Sequence, residues 1–415
     1  MIRQLTIIKK TILWMALLCF TNIIYSQELS RLYDSALEKQ QRKDYRGAIQ
    51  TFSEIIKKSS YYYEAYLGRG QSYEAVKKYD SALVDYSQAI AKNPSYYQAY
   101  YYRASLYFNI KKDNSKALAD VQKVMELNKN FHNAYLLRGD IFYAMGKLNE
   151  SLKDYNQFIE TKDNPSWELY YRRFLIHQGL DNHQDAIQDL KKVIALNAKY
   201  ADAYYERGKL YQIAGEYTSA LNDYEKAIGL RLASEDVWQR KADMLFELKQ
   251  EKEALKAYSY LITNFRKKQS EWYAKRGLCY TFLGDSINAQ KDFTKAITLN
   301  KNDYMVYVYR AENHIKRKRQ SLALNDYAKA IQLSPKSWQI YLSRGKIYLE
   351  QTKYDEAIAD FTLAIKYNAT LGEAYFYRGA CKDALKDVNG ACEDLKKAAA
   401  LHHQEAEKRL KRYCK

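Results

Sequence analysis

Six histidines, five cysteines and 49 acidic residues give this 415-residue chain enough side chains for acid–base, nucleophilic or metal chemistry. Their spacing does not assemble them. No histidine pair brackets a glutamate in the HExxH pattern of a helix-borne zinc site. His402 and His403 are adjacent, so they cannot chelate as an i, i+4 pair on one helix face does. No GxxxxGK[ST] loop offers a phosphate cradle, no strand–turn–helix setting exposes a nucleophilic serine, and no Cys-x-x-Cys occurs. What recurs is an arginine followed by an aspartate. Nine such couples run from Arg69/Asp85 to Arg378/Asp394, each separated by 16 or 17 residues. A planar guanidinium suits a carboxylate bidentately, which is a structural role before it is a catalytic one.

The couples belong to a longer pattern. An aromatic residue recurs at Tyr66, Tyr100, Tyr135, Tyr170, Tyr204, Trp238, Tyr273, Tyr307, Tyr341 and Tyr375, at spacings of 34 or 35. A small residue follows each after 16 or 17 positions, from Ala82 to Ala391. A weaker copy at Leu32, Ala36, Ala48 and Phe52 precedes them, making eleven copies over about residues 29–400. Within one copy, Tyr66, Gly70 and Tyr73 share a helix face, as do Ala82, Tyr86 and Ala89, and Lys77-Lys78 marks the turn between. Only 15 glycines and 3 prolines punctuate the chain. That is too few for an all-β protein or for the glycine turns of a Rossmann enzyme.

The second copy, with Tyr66, Gly70, Tyr73, Ala82, Tyr86, Ala89 and Pro94, resembles the tetratricopeptide repeat (TPR) family. The resemblance implies an all-α, right-handed superhelical solenoid of helix–turn–helix units, since one pair cannot bury its apolar face alone but stacked neighbours can. It also implies a concave face lined by the first helix of each pair. Candidate groove contacts on that helix are Tyr101, Tyr171, Tyr205, Lys209, Asp243, Val308, Leu342 and Phe376. The family's chaperone-binding members hold terminal carboxylates with Lys just after the repeat aromatic and Asn four residues on. This chain has no Lys in the first series, which begins Leu67, and no Asn in the second, which begins Gln71. Glu64, Glu168, Asp202, Asp236, Glu271 and Glu373 stand two before the aromatic, where a first helical turn favours anions.

The array departs from itself in two places. The fifth copy has Phe174 where others are small and His177 where others are mostly aromatic; His314 repeats that exchange in the ninth. Both histidines read as core substitutions rather than ligands. The seventh copy lacks the ion pair, with Lys241 and Ala257 in its place, and carries Leu261 at a helix contact; the first lacks it too, with Ser35 and Thr51. Larger contact residues such as Val124, Phe158 and Val193 predict irregular stacking near 120–200 and 235–265.

The ends carry their own signals. Arg3, Lys9 and Lys10 precede an apolar run from Thr11 to Ile24, so 1–26 reads as a secretory signal; an uncleaved anchor is the rival reading. Cys19 follows Leu18 rather than a small residue, which argues against lipidation. Without 1–26 the net charge falls from +18 to +15. Residues 27–400 form the repeat array and 401–415 a polar capping helix. If that helix runs back antiparallel, Cys414 reaches the level of Cys392, and export permits a disulfide.

The resulting expectation is an exported, non-enzymatic scaffold of the periplasm or outer membrane, without cofactor or metal. It binds protein or peptide partners and not nucleic acid. Two alternatives stay open. One is a carbohydrate- or peptidoglycan-associated module using the tyrosine-rich groove. The other is a peripheral protein whose basic face contacts an anionic envelope surface.

Overall fold

The computed structural model describes residues 25–266 and 269–414. The predicted signal, 1–26, lies outside them except for its last two residues, which begin the first helix. Among the described residues there are helices and turns and no strand. Each sequence copy is an antiparallel pair. The second, for example, is Tyr63–Ala75 followed by Tyr79–Lys92. The described chain divides between Ala198 and Lys199 into two compact units. The first holds copies one to five and the second copies six to eleven with a final helix, Gln404–Tyr413.

Size complementarity closes each pair. A side chain at Gly70 would place its Cβ 2.6 Å from the Tyr86 ring, and one at Gly277 would lie 2.8 Å from Phe293. The missing Cβ is therefore the space the ring fills. Phe174 was expected to disturb this contact. Instead it is fully buried, and the facing position, aromatic at Tyr86, Tyr155 and Tyr224, is Leu190 there. The larger ring has moved to the first helix and the smaller side chain to the second, and both are fully buried.

Every turn within a pair uses one left-handed residue. Lys43, Lys77, Lys112, Gly146, Asp181, Gly215, Lys249, Gly284, Lys318, Thr352 and Lys386 have φ between 55° and 83°. Such turns end the first helix in about three residues and start the second. The 17-residue Arg103/Asp120 interval requires one extra residue. A single π-helical turn, Tyr107–Lys111, absorbs it at the end of the first helix of copy three.

At the chain end, Ala406 is buried against Leu395 and Ala398. Cys392 and Cys414 are joined by a disulfide, with Cα atoms 5.6 Å apart. Cys279 and Cys381 are buried free thiols that burial pushes well above the usual cysteine value, Cys279 to about 12. Among the described residues, no helix is long and apolar enough to cross a membrane.

Candidate functional site

The nine Arg/Asp couples are all bidentate, with Nε and Nη2 donating to the two carboxylate oxygens. The distances are 2.8 and 2.8 Å at Arg69–Asp85, 2.9 and 2.6 Å at Arg173–Asp189, and 2.7 and 2.7 Å at Arg276–Asp292. In five of the couples the remaining Nη1 reaches back to the second helix of the preceding copy, as to Ser53 at 3.0 Å from Arg69 and to Ser87 at 3.0 Å from Arg103. Each guanidinium also lies over the repeat aromatic or its neighbour, as Arg69 does over Tyr66 and Tyr73. One side chain thus ties three helices together. The carboxylates are almost inaccessible and each is taken up by its arginine, so these are framework pairs.

On the first-helix face, the charged candidates are already engaged. Tyr205 donates its phenol to Asp236, which also accepts from Arg240 Nε at 2.9 Å. Burial first, then Asp236, push that phenol up to about 12. Lys209 pairs with Glu206 at 2.7 Å and lies over the Tyr205 ring. Asp243 accepts from Tyr258 at 2.6 Å and from Lys275 at 2.7 Å. Burial pulls the Lys275 ammonium down, but Asp243 and Glu271 outweigh it and hold it above its usual value. Arg172 bonds Asp140 and Lys346 bonds Glu373 in the same way. Tyr205–Asp236, Asp243–Lys275, Asp140–Arg172 and Lys346–Glu373 span 27–32 residues, so they are rungs between successive first helices, whereas Lys209–Glu206 stays within one helix. The helix dipole assigned Asp236, Glu271 and Glu373 a local role; the structure gives all three cationic partners in addition.

The apolar candidates divide differently. Leu342 is 7% exposed and packs in the core with Ala357 and Phe361, which corrects its assignment to the groove. Its Cβ direction on the helix turns it toward the second helix. Phe376 is covered by the terminal helix region: His403 stacks on it at 4.5 Å and Arg409 lies over it. Val308 packs half-buried against the Tyr307 cluster. Tyr171 packs against Phe174.

Tyr101 is placed otherwise. Its ring is held edge-on by Phe131 at 4.9 Å and Tyr102 at 5.6 Å. Burial pushes its phenol up. It lines a cleft of about 750 Å³ on the first helices of copies two to four, with Gln71, Glu74, Ser105, Ile110 and Asn133. Ile110 belongs to the π-helical turn and is 41% exposed. Sequence reasoning missed Ile110 and Asn133. The 17-residue Arg103/Asp120 interval was the available signal, because it places one extra residue beside Tyr101.

Among the described residues, no group of three or more His, Cys, Asp or Glu could hold a metal ion. Family models described as tetratricopeptide repeat match residues 63–96, then 132–165, 271–303 and 339–371, and 171–230. The chain is a tetratricopeptide repeat protein. Solved TPR-type structures similar to it include the APC/C hetero-tetramer Cut9–Hcn1, at 15% identity over 95% of this chain and 85% of that one, with a TM-score of 0.46. Yeast Tom70 shares 16% identity over 92% and 94% of the two chains, with a TM-score of 0.44. A tetratricopeptide repeat protein from Parabacteroides merdae shares 20% identity over 62% of this chain and all of that one, with a TM-score of 0.38. A comparison with curated proteins finds no match. The TPR architecture itself suggests a protein–protein interaction scaffold, and TPR folds are typically non-catalytic.

Proposed function

We propose that this TPR protein is a non-enzymatic adaptor that seats an extended peptide or protein segment on its first helices, in the envelope of the cell that exports it. The Tyr101 cleft carries the reading. It is open, about 750 Å³ in volume, and combines fixed aromatic rings with amide and hydroxyl groups. That composition suits a peptide's alternating apolar side chains and backbone amides. The charged residues elsewhere on this face are tied into rungs, so they stiffen the surface more than they select a partner. The signal-like 1–26 and the disulfide-compatible Cys392 and Cys414 support an oxidising compartment.

The test is capture from envelope extract by the immobilised chain, beside a Tyr101→Ala/Ile110→Ser variant of equal helicity. A protein retained by the parent and lost by the variant supports the adaptor. Equal capture by both, released by salt, assigns binding to the basic surface instead and removes the cleft from consideration.

A further inference from the structure

Copy seven is built without the guanidinium–carboxylate fork. Ala257 stands where other copies place aspartate, and it is 3% exposed. Lys241 stands where they place arginine, and it turns back to Glu225 at 2.9 Å, sixteen residues earlier on the preceding second helix. Glu225 occupies the same relation to Lys241 that Ser53 has to Arg69. A cleft of about 550 Å³ lies between the second helix of copy six and both helices of copy seven, entirely within the second unit. That volume is in the range of small-molecule sites, roughly 300–1,000 Å³.

The walls of the cleft define what could enter. Its floor is Leu221, Leu245 and Ala257, and one side is Trp238 stacked on Tyr260 at 3.9 Å. The Trp238 indole N–H is shielded from solvent and has no acceptor. The rim holds Asn222, Gln250 and two ion pairs, Lys241–Glu225 at 2.9 Å and Lys256–Glu253 at 3.8 Å. Lys241 and Glu225 satisfy one another at the inner rim, so an ionic ligand there would have to break that pair. A neutral ligand meets no such penalty. It needs an apolar face for the aromatic wall and hydroxyls for the amide and carboxylate rim.

We propose that copy seven binds a neutral saccharide, with one sugar ring against the Trp238–Tyr260 wall and its hydroxyls on the Asn222, Gln250, Glu225 and Glu253 rim. This site differs from the Tyr101 cleft in copy, in unit and in helix face. The protein would then hold a peptide partner at one place and a neutral glycan at another.

The full chain should be screened against neutral hexose and N-acetylhexosamine oligomers, with binders titrated by tryptophan fluorescence and calorimetry. Saturable binding is expected for at least one oligomer. The decisive variant is Lys241→Arg/Ala257→Asp, which rebuilds the fork of the nine other copies inside the cleft. It should be at least as stable as the parent and bind the oligomer at least tenfold more weakly. Trp238→Tyr, which restores the residue common at that position, should weaken binding and remove the fluorescence change. Tyr101→Ala should leave it intact. Unchanged affinity in the rebuilt variant overturns the proposal. So does the absence of any saturable oligomer, and so does a cleft that takes N-acetyltyrosine amide but no sugar, which would assign it to a partner's aromatic side chain.

Discussion

Arg69 holds Asp85 through two parallel hydrogen bonds of 2.8 Å while its third nitrogen reaches Ser53 on the helix before. The carboxylate side chain is 3% exposed and the arginine 19%. Removing the acid leaves a guanidinium desolvated by three helices and without its anion. Asp85→Ala is therefore expected to destabilise by about 3 kcal/mol. The loss should concentrate in copies one to three, because repeat arrays open locally. Hydrogen exchange resolved by peptide would show it. Uniform loss of protection over the whole chain would contradict a local tie.

Phe174 and Leu190 test the exchanged knob. Phe174→Gly alone empties a fully buried site and should cost about 3–5 kcal/mol. Leu190→Tyr alone overfills the same contact and should also destabilise, by about 1–3 kcal/mol. The double variant restores the Gly/Tyr arrangement of Gly70/Tyr86 and should recover most of the loss. A double-mutant cycle by denaturant unfolding measures this, with an expected coupling of at least about 1 kcal/mol. Simple additivity would show that the two side chains do not share one space.

His177 and His314 should make the array acid-sensitive. Their Nε2 atoms lie 3.8 and 3.7 Å from Asp189 and Asp326, which already serve an arginine. Burial pulls both imidazoles below their usual value, more than the neighbouring aspartates raise them. A folded value below the unfolded one means that the unfolded chain binds more protons across the window between the two. Stability is thus fully present above about pH 6.5 and declines as pH falls through that value toward the folded one. Thermal melts at pH 7 and pH 5 should show the decline, and His177→Tyr/His314→Tyr should reduce it. An identical pH profile in the variant would assign the decline to other groups.

Thr352 has a φ of 58° at the turn of copy ten, a conformation that suits glycine. The β-branched side chain makes this the least favourable of the eleven turns. Thr352→Gly should stabilise by about 0.5–1 kcal/mol, the relief of left-handed strain exceeding the added freedom of the unfolded chain. Gly215→Thr, at the equivalent turn with φ 76°, should do the reverse. Melting temperatures of the two variants moving in the same direction would refute the argument.

The Cys392–Cys414 bond closes a 22-residue separation across the final helix, whose buried contact with the array is the small side chain of Ala406. Reduction, or Cys414→Ser, should expose Gln404–Tyr413 to exchange and proteolysis and cost that segment about 3 kcal/mol. Copies two to ten should keep their protection. Proteolysis at 404–413 that is indifferent to reductant would mean that packing alone holds the helix.

Much of this molecule is a consequence of local sequence. The helix pairs, their 34–35-residue period and the Arg/Asp couples follow from residue spacing, because each copy repeats one local solution and contacts only its neighbours. The joint loss of Arg and Asp in copy seven was likewise visible in the one-dimensional pattern. The cleft in that copy was not. The walls of the copy-seven cleft depend on where Lys241 turns and on how Trp238 and Tyr260 stack, and those are choices among rotamers that only neighbouring helices make. The same holds for the binding face. Asp243 looked available because sequence shows a charge but not the partner, Lys275, 32 residues away that satisfies it. Leu342 looked exposed, but three successive residues, Ile340, Tyr341 and Leu342, are all buried, because helices pack against more than one side of this segment. Periodicity therefore determined the framework, while the through-space rungs between copies decided which side chains remain to meet a partner.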